Sequence, residues 1–136
     1  MDKSMQLQVF TPDKQVLDTE TQSMNVLLPD GWWGILPGHA PMISYLESGV
    51  VHYKKEDQIR YIAIYQGTIE VISNPDEQTR VLILTSAGEE GSNLEEVKVS
   101  LEQQATRLEQ LAKEADIEFK QMRIALEKSL QKINVS

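Results

Sequence analysis

From Met5 to about Leu84 apolar and polar residues alternate with a period of two, in short runs separated by turn chemistry. Leu7 and Val9 alternate with Gln6 and Gln8, which predicts a half-buried strand. Thr11-Pro12-Asp13-Lys14 supplies a turn with Pro where its fixed φ helps, and Val16 and Leu17 begin a return strand. Met24, Val26 and Leu28 alternate until Pro29-Asp30-Gly31 breaks the run. Met42 to Leu46 is apolar and extended, Glu47-Ser48-Gly49 turns, and Val50 to Tyr53 runs back to a charged tip at Lys54-Lys55-Glu56-Asp57. The run Ile59 to Tyr65 becomes apolar on both faces, as a central strand does. Ile69 and Val71, then Arg80 to Leu84, complete the set. The pattern predicts an antiparallel β-sandwich of eight to ten short strands over residues 1–87.

Past that point the period changes. Residues 88–93 (Gly-Glu-Glu-Gly-Ser-Asn) read as a solvated connector, with Ser92 or Asn93 available to cap a helix and Glu95 and Glu96 suited to its first turn. Leu94, Val97, Leu101, Ala105, Leu108, Leu111 and Ala115 recur every three or four residues, and Phe119, Met122, Leu126, Leu130 and Ile133 repeat the pattern. Two amphipathic helices turning at Ala115-Asp116 would make residues 94–136 an antiparallel hairpin. The fold class is α+β in two parts, sandwich then hairpin.

Two stretches break the alternation. Residues 34–41, Gly-Ile-Leu-Pro-Gly-His-Ala-Pro, hold two Gly and two Pro, which impose a fixed backbone path and present His39 at the apex of a partly buried loop between strands. Just before it, Trp32 and Trp33 lie beside Gly31 and Gly34 in a predicted turn. Trp33 suits the rim of the core. Trp32 is either exposed without a role or a contact anchor, since exposed Trp is enriched at interface hot spots.

Composition narrows the function. The net charge of −8 argues against nucleic acid and against an anionic membrane surface. With no cysteine, disulfides and thiolate chemistry are excluded. No stretch approaches the roughly 20 apolar residues of a membrane span, and no signal or transit pattern opens the chain, so direct membrane insertion and targeting are not expected. His39 and His52 are the only histidines and have no metal-ligand spacing. Ser44 and Ser48 do not lie in Gly-x-Ser-x-Gly, and the glycines match no phosphate loop or dinucleotide fingerprint. No catalytic residue and no metal site emerge. Charge also divides within the helices: residues 89–118 hold nine acids against Lys98, Arg107 and Lys113, whereas from Phe119 onward Lys120, Arg123, Lys128 and Lys132 meet only Glu127. Either neighbouring helices complement each other or the basic one meets an acidic partner.

GILPGHAP at residues 34–41, with Leu7-Gln8-Val9-Phe10-Thr11-Pro12-Asp13-Lys14, Glu47-Ser48-Gly49-Val50, Gly67-Thr68-Ile69-Glu70-Val71 and a terminal helical pair, resembles the epsilon subunit of the bacterial F-type ATP synthase over nearly the whole chain. The resemblance implies a non-catalytic subunit of the central stalk. In that family the sandwich binds the gamma subunit and rests on the c-ring, and the mobile helices reach the alpha and beta subunits of the catalytic head and inhibit ATP hydrolysis. Carried onto this sequence, His39, Met42 and Ser44 fall where the family meets gamma. Asp30, Gly31, Trp32 and Trp33 fall where it meets the c-ring, and Lys120, Arg123, Lys128 and Lys132 where it meets the catalytic head. The implied location is the cytoplasmic side of the bacterial inner membrane, peripheral, through the complex.

Departures from the family pattern limit the transfer. Members often carry an acidic or polar residue at the position of Trp32. Some bind ATP through Ile/Leu-Asp-x-x-Arg-Ala, where this chain has Leu94-Glu95-Glu96-Val97-Lys98-Val99. Lys98 lacks the planar fork of Arg, which counts against a nucleotide site at Glu95, Lys98 and Arg123. No cofactor is required; regulatory ATP is the only one the resemblance raises. The residues by themselves also admit a free-standing β-sandwich that binds a ligand or acts as an adaptor, dimerising through its helices.

Overall fold

The computed structural model describes residues 3–134, with side chains described through Ser129. Eight strands precede one helix: β1 (Met5–Phe10), β2 (Gln15–Thr21), β3 (Ser23–Leu28), β4 (Gly31–Ile35), β5 (Met42–Leu46), β6 (Gly49–Lys55), β7 (Gln58–Ile72), β8 (Arg80–Gly91) and α1 (Leu94–Asn134). The strand order is β2-β1-β8-β7-β6-β3-β4, with β5 on β7. The long β7 belongs to both layers, because its first half pairs with β6 and its second half with β5. It passes between them at Gln66, which takes a left-handed φ of 53° and donates its N–H to Ser48 Oγ at 3.0 Å. Gly67 follows because a Cβ there would lie 2.7 Å from the Leu84 carbonyl oxygen. Between the layers, Leu7, Val9, Met24, Val26, Ile35, Ile62, Ile64, Ile69 and Ile83 form a fully buried core.

Three expectations are corrected. The sandwich is not wholly antiparallel: β1 lies parallel to β8, with Leu7 opposite Val81. Parallel neighbours need a long crossover, and the strands between β1 and β8 supply it. Residues 88–91, expected in a connector, continue β8, with Glu89 opposite Ala63 and Gly91 opposite Tyr61. Their polarity misled because the Glu90 carboxylate is bonded to groups on two neighbouring strands rather than solvated. Finally, the helical part has no turn at Ala115-Asp116. It contains neither Gly nor Pro, alanines favour helix, and Asp116 pairs with Lys120 one turn on at 3.3 Å, so nothing in the segment interrupts α1.

The chain divides into two compact units, the second beginning at Gln104 within α1. In the first unit Asn93 caps α1: its Oδ1 accepts the Glu96 N–H at 3.1 Å, and its carbonyl accepts that of Val97 at 3.1 Å. Val97 is buried in the space that Gly91 leaves, where a Cβ would stand 3.0 Å from Val97 Cγ2.

Candidate functional site

The loop of residues 36–41 joins β4 to β5 and is pinned at two points. The His39 N–H closes a turn on the Leu36 carbonyl at 3.0 Å, and the Gly38 N–H donates to Thr79 Oγ1 at 2.8 Å. Gly38 has φ of +87°, a conformation in which a side chain would be strained. Ile35 is buried, but Leu36 is exposed, so the apolar pair that suggested a buried loop is divided between core and solvent. His39 Nδ1 lies 2.8 Å from the Ala40 carbonyl oxygen, which can only accept, so Nδ1 carries the proton. The imidazole is therefore held by its own loop and leans towards the Trp33 ring, 6.3 Å away.

Trp32 and Trp33 do not lie in a turn. They are strand residues of β4, opposite Leu27 and Val26, and so point to opposite faces. Trp33 sits at the rim of the core face, 39% exposed, with its indole N–H on Asp30 Oδ1 at 2.8 Å. Trp32 is 59% exposed on the outer face, where its ring lies 5.9 Å from that of His52, which in turn meets the edge of Tyr61 at 5.3 Å.

On β5 two of the residues expected to meet gamma, Met42 and Ser44, lie on the inner side of the strand. Met42 and Ser44 stand opposite Val71 and Ile69, both buried, and face the core; Ser44 Oγ bonds the Tyr45 carbonyl at 3.1 Å. The outward residues are Ile43 and Tyr45, 76% and 75% exposed. Register extends them into a row across four strands, Tyr45–Thr68–Leu84–Phe10, beside Ile43–Glu70–Leu82–Gln8. Leu84 is exposed too, and an open groove of about 700 Å³ runs beside Phe10, Tyr45, Gln66 and Leu84. An apolar patch rimmed by Glu70 and Gln8 is the usual form of a docking surface. Sequence reading missed it because Met42 to Leu46 is apolar at every position but Ser44, which leaves no alternation to show the outward face.

Glu95 and Lys98 are exposed on the first turns of α1. In the second unit Lys120 pairs with Asp116, and Arg123 approaches Glu127 at 4.0 Å, so two of the four basic residues already have helical partners. Lys128 is exposed, and Lys132 lies outside the described side chains. Leu111, Ile117, Phe119, Met122, Ile124 and Leu126 are all at least half exposed. No cluster of metal-ligating side chains occurs among the described residues, and no described helix is long and apolar enough to cross a membrane.

Comparison with known proteins decides the family. Residues 4–91 match the family model of the ATP synthase Delta/Epsilon chain, beta-sandwich domain. The chain belongs to the epsilon-subunit family of the F-type ATP synthases. It is 33% identical to the ATP synthase epsilon chain of Trichlorobacter lovleyi over the whole of this chain and 96% of that one, and 29% identical to that of Bacillus mycoides over 98% and 97%. By structure it is similar to a chain in the mitochondrial ATP synthase of Euglena gracilis, with a TM-score of 0.58 at 19% identity, covering 74% of this epsilon chain and 62% of the other. A second neighbour, from the central stalk and c-ring of the Tetrahymena thermophila enzyme, has a TM-score of 0.50 at 13% identity, over 65% and 68%. These two likenesses speak to the fold. Family membership sets aside the free-standing sandwich that the residues had left open.

Proposed function

We propose that this epsilon chain is a non-catalytic subunit of the rotor's central stalk, coupling the c-ring and gamma to the catalytic head. The observation that carries this reading is a sandwich of the epsilon family with a contiguous apolar patch on its outer surface. The face of Ile43, Tyr45, Leu84 and Phe10 docks gamma, with the His39 loop as its shaped border. The end of the sandwich carrying Asp30, Gly31, Trp32 and Trp33 meets the c-ring, where Trp32 substitutes an apolar contact for a polar one. The helical unit, with Lys120, Arg123, Lys128 and Lys132, meets the alpha and beta subunits and restrains hydrolysis. Association with the membrane is peripheral, on the cytoplasmic side, through these partners. Nucleotide is not needed for any of these contacts.

The test is co-purification. The intact chain is expected to bind gamma and the c-ring, and Ile43→Asp with Tyr45→Asp to lose gamma while keeping its fold. Failure of the intact chain to bind either partner overturns the reading. Removing residues 117–136 from the assembled enzyme is expected to raise ATPase activity several-fold, and unchanged hydrolysis removes the inhibitory role.

A further inference from the structure

Across β4, β3, β6, β7 and β8 the register sets Gly34, Asn25, His52, Tyr61 and Gly91 in one row on the outer face. Trp32 stands two residues before Gly34 on the same face of β4, and its indole reaches across β3 to lie 5.9 Å from the His52 ring, tilted by 54°. Tyr61 meets the imidazole from the next strand at 5.3 Å, nearly perpendicular at 84°. His52 is thus half-buried between two aromatic rings, one of them largely open to solvent. We propose that His52 is a proton-operated bracket for Trp32: as the imidazolium it holds the indole in this seat, and as the neutral ring it holds it more loosely.

A neutral imidazole meets indole as one aromatic ring meets another. With a proton it becomes a cation inside the range of about 6 Å from the ring centroid over which cations are drawn to an aromatic face, and Trp is the best acceptor. At an exposed site that attraction favours the seated indole by about two- to fivefold. Histidine is the side chain whose charge ordinarily changes between about pH 5 and 8. Around it, Ser23 and Asn25 on β3 and Gly34 on β4 carry no charge. Lys54 lies two residues along the same face of β6 and leans towards Asp57, with Nζ 3.8 Å from Oδ1. On β7 the Tyr61 phenol faces His52, and on β8 Glu89 stands opposite Ala63, one pair along from Gly91. Val97 of α1 packs on Gly91, flanked by the exposed Glu96 and Lys98. The consequence for binding rests on the reading that the Trp32 end of the sandwich meets the c-ring. An indole already fixed loses less rotamer freedom on contact, so that contact tightens as pH falls.

The isolated full chain tests the bracket without a partner. Trp33 has a histidine of its own, His39 at 6.3 Å, so Trp33→Phe is used to leave Trp32 as the sole emitter. Excited indole passes an electron to imidazolium and is quenched. Emission is expected to fall between about pH 8 and 5.5, while nuclear Overhauser contacts between the His52 and Trp32 ring protons strengthen. His52→Gln should abolish the step with the urea midpoint unchanged, because the site lies on the outer face. The proposal is overturned if the ring-proton shifts show His52 titrating while Trp32 stays constant, if His52 takes up no proton in this range, or if the step survives in His52→Gln. Binding to the purified c-ring reads the consequence: the parent should tighten about two- to fivefold more than His52→Gln at the lower pH, and equal pH dependence removes the regulatory role. No binding at either pH overturns the c-ring contact itself, and the spectroscopic result on the isolated chain decides the bracket separately.

Discussion

Replacing Glu90 with Ala removes an acceptor shared by three strands of the sandwich. Tyr53 on β6 is 2% exposed and donates its hydroxyl to Glu90 Oε1 at 2.9 Å, while Arg60 on β7 donates to the same oxygen from its Nε. In Glu90→Ala the buried hydroxyl loses its partner, which costs about 1–3 kcal/mol. The Arg60 side chain is 31% exposed, so water screens the lost ion pair and its share is about 1 kcal/mol or less. The expected loss is about 2–4 kcal/mol, a fall of about 1–2 M in the urea midpoint for a domain of this size. Glu90→Gln keeps an oxygen for Tyr53 and loses only the charge, and should cost about 1 kcal/mol. Urea unfolding followed by the fluorescence of Trp32 and Trp33 measures both variants. If Glu90→Ala unfolds within about 0.5 kcal/mol of the parent, or if the two variants are equally damaging, the shared acceptor does not hold the strands together.

The same cluster sets an alkaline limit: burial, then the bond to Glu90, pushes the Tyr53 phenol up from 10.0 to about 12. A raised folded-state value means that the stabilisation is complete below pH 10 and fades as pH rises towards 12, a loss that Tyr53→Phe should not show in pH-dependent unfolding. Gly67→Ala drives a Cβ towards the Leu84 carbonyl oxygen and should destabilise the sandwich by about 2–4 kcal/mol in the same urea assay; a neutral result contradicts the close approach. Asn93→Ala removes the cap of α1 and should cost about 1 kcal/mol, with Asn93→Asp restoring it.

The sandwich was legible from the sequence because a period of two survives wherever one face is buried, as in Leu7 and Val9 or Met24, Val26 and Leu28. It failed where chemistry is satisfied from a distance. Glu90 looked like a solvent residue because its partners, Tyr53 and Arg60, lie far along the chain. Trp32 and Trp33 looked like turn residues because Gly flanks them, although β3 pairs with both. The stripe past Leu111 fits one straight helix or two folded on each other equally well, since both present a face every three or four residues. Only the lack of a breaker at Ala115-Asp116 favoured one, and alanine followed by a pairable aspartate does not end a helix. The outward face of β5 could not be read from a run that is apolar on both sides.

The proposed role rests most directly on contact between the outer face of the sandwich and gamma. Titration of isolated gamma with the full chain, followed by calorimetry, should give one-to-one binding in the micromolar range or tighter, weakened at least a hundredfold by Ile43→Asp with Tyr45→Asp while the urea midpoint stays unchanged. Binding that survives this double change, or no binding by the parent chain, would contradict it.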